Sequence, residues 1–274
     1  MKQYIIIDHQ SSEEKFRIRK DKTTGAWKTW PQLKKNHASK YYKHQAYMPY
    51  KIKHKSLFDV FYGLARKTNN RIKIRHIRTR KSKGNMLDYG AGVGSFAAYA
   101  KSKGWSVEAF ETDTECKKRL KERKITTVDE KLCKKRYDVI TLWHVLEHLK
   151  NPKKTLERLH HSLKPTGRVF IAIPNHSSWD AQHYKENWAA FDVPRHIWHY
   201  NKKSFHKLIK QTGFTIEKTS PMLMDAFYIS ILSEKYCKSN FPYLKGTIKG
   251  FYSNLKGAMN KNTSSLLFCL KKEF

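Results

Sequence analysis

The spacing of apolar positions along the chain changes character near residue 84. Residues 1–55 are polar, basic and aromatic, with little helical periodicity. Within them Ile5-Ile6-Ile7 and Phe16-Arg17-Ile18-Arg19 predict short strands, and Asp21-Lys22-Thr23-Thr24-Gly25 supplies turn chemistry before Ala26-Trp27. Residues 56–67, with Leu57, Phe58, Val60, Phe61 and Leu64, have helical spacing. Beyond residue 84, strands at Met86–Asp88, Val107–Phe110, Ile125–Val128, Tyr137–Leu142 and Val169–Ile173 alternate with helices over Phe96–Lys103, Cys116–Arg123 and Asn151–Leu163. The last helix places Asn151 at its N-cap and Pro152 at its first position. A helix over 202–211 is closed by Gly213, Phe214–Ile216 and Leu266–Phe268 predict the last two strands, and Met222–Leu232 predicts a helix over one sheet edge. Alternating strands and helices imply an α/β fold with right-handed crossovers and an open parallel sheet. The expected division is a basic aromatic cap at 1–55, a linking helix at 56–83, and a main domain at 84–274 with inserts at 176–200 and 221–263.

Composition narrows the setting. The 274 residues carry a formal net charge of +33, of which residues 1–83 hold +18. Such a field attracts polyanions, so nucleic acid stands as a possible partner. The charges are nevertheless spread along the whole chain, as a solvating lysine-rich surface would be. Cys116, Cys133, Cys237 and Cys269 form no C-x-x-C pair, which argues against a zinc ribbon or a disulfide framework. No apolar run approaches the roughly 20 residues of a membrane span, and the apolar part of Met1–Asp8 is too short for a signal peptide. A soluble, cytoplasmic protein is expected, and the oligomeric state is left open.

The densest candidate chemistry is Asp88-Tyr89-Gly90-Ala91-Gly92-Val93-Gly94, where a strand runs into a glycine-rich turn and a helix. Such a turn lets backbone approach a ligand, and the helix N-terminus offers amide donors. The dinucleotide pattern G-x-G-x-x-G is not met, because Gly94 comes one position early and Ser95 stands where glycine is wanted. Asp88 would repel a pyrophosphate and suits a cationic ligand such as a sulfonium amino acid. Glu111 follows Gly90 by 21 residues, at the end of the second strand, where an acid can accept hydrogen bonds from both ribose hydroxyls.

Leu87 through Gly94 resembles the first motif of class I S-adenosylmethionine-dependent methyltransferases. Tyr137-Asp138-Val139-Ile140 through His148 resembles their fourth strand, and Leu163-Lys164-Pro165-Thr166-Gly167 their turn before the fifth. In the triplet Leu146-Glu147-His148 the chain is similar to ubiquinone-biosynthesis-type O-methyltransferases. The resemblance covers about residues 80–219. Thr29-Trp30-Pro31, Tyr41-Tyr42 and Asp192-Val193-Pro194-Arg195-His196 resemble a bacterial subgroup of the superfamily. These likenesses imply a Rossmann-like, seven-stranded, mostly parallel sheet with helices on both faces, an antiparallel last strand and a small N-terminal cap. They imply S-adenosylmethionine as cofactor, bound by Asp88, Gly90, Ala91, Gly92, Gly94, Glu111, Asp129 and Trp143.

Methyl transfer from a sulfonium is an in-line displacement, in which the enzyme mainly positions the acceptor and excludes water. A hydroxyl acceptor must also lose a proton, and His148, His144 and His196 are the candidate bases, in that order. Glu147, Arg195 and Trp188 are candidate substrate contacts, Arg195 for an acidic group. His144-x-x-Glu147-His148 matches a zinc-peptidase pattern, but no third ligand is indicated and no metal is expected. Trp27, Trp30, Tyr41, Tyr42, Tyr47 and Tyr50, interleaved with lysines, either stack bases or pack the cap. The expected function is methylation of a small-molecule acceptor, on oxygen. The alternatives are an RNA methyltransferase and a non-catalytic basic binding module on the same fold.

Overall fold

A computed structural model describes residues 4–33, 41, 57–77, 83–129 and 136–273. Its centre is a seven-stranded sheet. Five strands run parallel: β4 (Asn85–Tyr89), β5 (Ser106–Phe110), β6 (Thr126–Thr127), β7 (Tyr137–Trp143) and β8 (Leu163–Pro174). The spatial order is β6, β5, β4, β7, β8, β11, β10, with β11 (Ser265–Lys272) antiparallel to both β8 and β10 (Phe214–Pro221). This is the Rossmann-like α/β fold implied by the sequence, including its antiparallel last strand.

Alternation along the strands explains why both faces need cover. Met86 packs in one core cluster with Ala97, Leu120 and Trp105, and Leu87 packs in the other with Leu142, Leu159 and Phe268. Each face is closed by helices. The first cluster holds Ile74 and Ile77 of α1 (Leu57–Ile77), Phe96 and Ala100 of α2 (Ser95–Ser102), and Leu120 of α3 (Thr114–Glu122). The second holds Leu156 and Leu159 of α4 (Pro152–Ser162). Val169–Ile173 is buried throughout, as a continuous apolar run in a central parallel strand should be.

Two elements differ from expectation. The third parallel strand shrinks to Thr126–Thr127, both exposed, because it is the sheet's outer edge. The long segment after β10 forms two helices and not one. After α5 (Trp179–Tyr184) and α6 (Lys202–Ile209), it builds α7 (Leu223–Tyr236) and then α8 (Pro242–Asn260), which opens with Pro242 in its first turn.

A second, four-stranded sheet joins β1 (Tyr4–Ile7), β2 (Lys15–Lys20) and β3 (Trp27–Trp30) to β9 (Trp198–His199), which belongs to the 176–200 insert. Trp27 stacks on His176 at 4.4 Å, and Thr29 Oγ1 donates to the His196 carbonyl at 2.7 Å. Trp30 is exposed, Tyr41 is buried, and Tyr42, Tyr47 and Tyr50 lie outside the described residues.

Arg195 locks this seam. Its guanidinium is 1% exposed and pairs with Asp8 at 2.8 Å and Asp192 at 2.6 Å, and it donates to the Tyr41 carbonyl at 3.2 Å. Trp188 is likewise internal: its indole N–H donates to Asp180 at 2.7 Å. Both side chains, expected from the sequence to touch substrate, are occupied in holding the insert in place. Removing Arg195 would leave two buried carboxylates without their cation, Asp8 keeping its serine donors and Asp192 its bond from Gln10. Arg195→Ala is expected to lower unfolding stability by about 3–5 kcal/mol, measured by urea denaturation; a loss below about 1 kcal/mol would show that the pairs contribute little.

Candidate active site

The glycine turn sits at the carboxyl end of β4, on the sheet edge where ligands bind open α/β sheets. Gly90, Gly92 and Gly94 all have positive φ, at 77°, 54° and 73°. They do so for different reasons. A Cβ on Gly90 would lie 2.5 Å from Val145 Cγ2, and one on Gly94 2.5 Å from Leu120 Cδ2, so these two serve close packing. A Cβ on Gly92 would meet nothing within 4 Å. The middle glycine therefore faces open space, as a ligand-facing backbone requires.

The turn is pinned from β5. The amides of Gly90 and Ala91 donate to the Phe110 carbonyl at 2.8 and 3.2 Å, and the Gly92 amide donates to Glu111 Oε2 at 2.7 Å. Glu111 Oε1 also accepts from the Thr112 and Asp113 amides. The carboxylate is thus held beside the turn by backbone donors. Asp129, expected near the adenine, is exposed just past β6.

Asp88 is 2% exposed and accepts from Thr141 Oγ1 at 2.7 Å. Burial pushes its carboxyl up to about 6, against the pull of Thr141 and Lys73. Lys73 of α1 was not anticipated from the sequence. Its ammonium lies 4.6 Å over the Trp143 ring, and burial lowers its pKa although Asp225 and Asp88 both favour the charged form. Trp143 in turn packs edge-on against Phe96 of α2 at 5.1 Å. Helical phase alone cannot show that this lysine, of so many, turns inward over the fourth strand.

The three candidate histidines separate by environment. His144 follows β7 with a φ of 56°, its Nε2 2.9 Å from Asp225 Oδ2 and its Nδ1 3.4 Å from Glu147 Oε1. Burial alone would depress its pKa; the two carboxylates more than reverse that and push it up to about 10. At neutral pH it is an imidazolium bridging two acids and has no lone pair to offer a substrate proton. His148 and His196 stand edge to face at 4.6 Å. The Nδ1 of His148 bonds the Arg195 carbonyl at 3.0 Å, and that of His196 the Ala190 carbonyl at 2.8 Å. A carbonyl only accepts, so each Nδ1 carries a proton. Burial, then the nearby His196, press the pKa of His148 down to about 4.

Beside them lies Glu147, 1% exposed, its Oε1 facing the His144 imidazolium, while the Nε2 of His196 lies 3.8 Å from Asp192 Oδ2. Ligand atoms of Glu147, His148 and His196 all lie within 4.8 Å of one another. Two imidazoles oriented by backbone carbonyls, plus one carboxylate, make a donor set able to hold a divalent cation. The residue that joins Glu147 and His148 in this set is His196, 48 residues past His148 and carried there by the insert. His144 is not part of the set, because Asp225 takes its Nε2.

A methyltransferase-domain family matches residues 60–219, more than half of the chain. No curated protein matches the sequence. Among solved structures, phosphoethanolamine N-methyltransferase 2 of Haemonchus contortus, in complex with S-adenosyl-L-methionine, superposes with a TM-score of 0.51 at 21% identity, over 76% of this chain and 53% of that one. In complex with phosphomonomethylethanolamine and S-adenosylhomocysteine, the same enzyme gives 0.57 at 19% identity over 90% and 62%. Coclaurine N-methyltransferase gives 0.51 at 14% over 76% and 70%, and a mitomycin 7-O-methyltransferase 0.50 at 13% over 76% and 54%. The chain thus spans little more than half the length of the Haemonchus enzyme, and at these identities the likeness is one of fold. With the family match over 60–219 and the glycine turn at the carboxyl edge of a seven-stranded sheet, the chain belongs to the methyltransferase-domain family, within the class I, S-adenosylmethionine-dependent superfamily.

Proposed function

We propose that the protein transfers the methyl group of S-adenosylmethionine to an oxygen of a small-molecule acceptor. The observation that carries the reading is the open space over Gly92, whose amide holds the Glu111 carboxylate beside the turn. In this reading Glu111 accepts from the ribose hydroxyls. The methionine end, a zwitterion, meets charges of both signs: Asp88 and Asp225 favour its ammonium, and Lys73 its carboxylate. Asp129 flanks the adenine end.

The acceptor lies toward Glu147, His148 and His196. The acceptor oxygen attacks the methyl carbon as the carbon–sulfur bond breaks, leaving a neutral thioether, and the hydroxyl proton must leave the oxygen. His148 stays neutral at physiological pH, so its Nε2 accepts that hydroxyl's hydrogen bond and aims the oxygen. Burial raises the Glu147 carboxyl, and the hydrogen bond and charge of His144 more than offset it, so Glu147 stays an anion that favours His148 as it takes the proton. His144, held as an imidazolium, fixes Glu147 and Asp225 in place. A divalent cation held by the trio would take the His148 Nε2 lone pair instead and would itself stabilise an acceptor oxyanion.

Labelled S-adenosylmethionine incubated with the protein and cell extract is expected to deliver label to the small-molecule fraction, with Glu111→Ala abolishing it; label in RNA would favour the alternative acceptor. Cofactor affinity is expected to fall as pH drops through about 6, because Asp88 is then protonated and no longer attracts the cationic ligand. Calorimetry across pH 5–8 checks this, and Asp88→Asn should flatten the dependence. Zinc titrated into the purified protein is expected to bind at about one equivalent, and His196→Ala to remove that binding; equal binding by the variant would contradict the assigned ligands.

A further inference from the structure

Helix α8 is built inside out. Its 19 residues turn glycine and serine inward: Gly246, Gly250, Ser253 and Gly257 are its buried positions. The fit is close. A Cβ on Gly246 would lie 2.4 Å from the Ile231 Cα, and one on Gly250 2.8 Å from the Phe227 Cα, both backbone atoms of α7. The bulky residues face outward. Phe241, Leu244, Ile248, Phe251, Leu255 and Met259 are each between 51% and 75% exposed. Spaced three or four apart, they form one stripe along the helix, opposite the glycine face. A helix that owed its place to apolar burial would be the other way round. Small residues inside and large apolar residues outside is the arrangement used where the surroundings are themselves apolar.

Charge identifies the surroundings. Lys245 and Lys256 flank the stripe, Lys249 between them pairing with Glu234 of α7 at 3.9 Å, and α8 contains no Asp or Glu. The chain as a whole carries +33. A second copy would bring the same excess to the contact and no acid on the stripe to meet these lysines. A nucleic acid would answer the lysines but not six exposed apolar side chains. Tyr243 and Tyr252, both partly exposed, add the aromatic groups that favour a headgroup boundary. No helix among the described residues is long and apolar enough to cross a membrane, so the helix would lie in the interface plane.

We infer that α8 docks the protein on an anionic membrane surface, its apolar stripe sunk among the acyl chains and its lysines at the phosphates. The claim goes beyond the proposed methyl transfer and is independent of it. Apolar burial supplies most of the affinity, and the lysines supply dependence on lipid charge and salt.

Flotation of the full chain with vesicles tests it. Binding is expected to phosphatidylcholine vesicles containing about 30% phosphatidylglycerol, to weaken with salt, and to be far lower on phosphatidylcholine alone. The triple variant Ile248→Ser, Phe251→Ser, Leu255→Ser is expected to lose at least about tenfold in vesicle affinity. Because these side chains are exposed, it should keep the wild-type melting temperature and its binding of S-adenosylhomocysteine. Equal vesicle binding by wild type and variant would overturn the inference, as would no binding by wild type. A concentration-dependent dimer that the triple substitution abolishes, without any wild-type flotation, would assign the stripe to a second copy. Loss of cofactor binding in wild type, with flotation intact, would count against the methyltransferase reading and leave the membrane inference standing.

Discussion

The hydrogen bond from the Gly92 amide to Glu111 ties the first strand's turn to the end of the second. It exists because three residues accept positive φ within five positions, a path that side chains with a Cβ resist. Once the chain follows that path, the middle glycine has nothing above it, and the carboxylate that would grip a sugar is fixed by its own backbone donors. At the end of the fourth strand Lys73 sits over Trp143 with Asp88 and Asp225 nearby, and the cluster of Glu147, His148 and His196 follows.

That cluster shows how environment sorts similar groups. Three histidines within 53 residues look equivalent in the sequence. Flanked by Asp225 and Glu147, His144 becomes a fixed cation; enclosed beside another imidazole, His148 is held neutral. One acts as an electrostatic strut, and the other presents a lone pair. Neither could have been ranked from residue type, since the decisive partners, Asp225 and the Arg195 carbonyl, arrive from elements 81 and 47 residues away.

The sheet and the turn were legible because they rest on local signals: apolar runs, glycine spacing, and acids at strand ends. The sequence also placed Asp88, Glu111 and Trp143 at the carboxyl edge. What escaped it depends on contacts between distant segments. Arg195 and Trp188 read as substrate contacts because a buried arginine and an exposed one have the same letter; only Asp8, some 190 residues earlier, shows where the guanidinium is spent. Lys73 hid among 56 basic residues. His196 joins Glu147 and His148 only through the insert. Helix α8 was missed because glycines at 246, 250 and 257 weaken its helical signal, although those same glycines let it pack against α7.

The central claim is that a nucleoside occupies the space above the middle glycine. Calorimetric titration of S-adenosylhomocysteine into wild type and Gly92→Val tests it most directly. A Cβ at residue 92 meets no protein atom, so the cost of the substitution is backbone strain at its positive φ, and circular dichroism of the variant checks that it is folded. The account predicts binding by wild type and none detectable by a folded variant. Undiminished binding by Gly92→Val would contradict it.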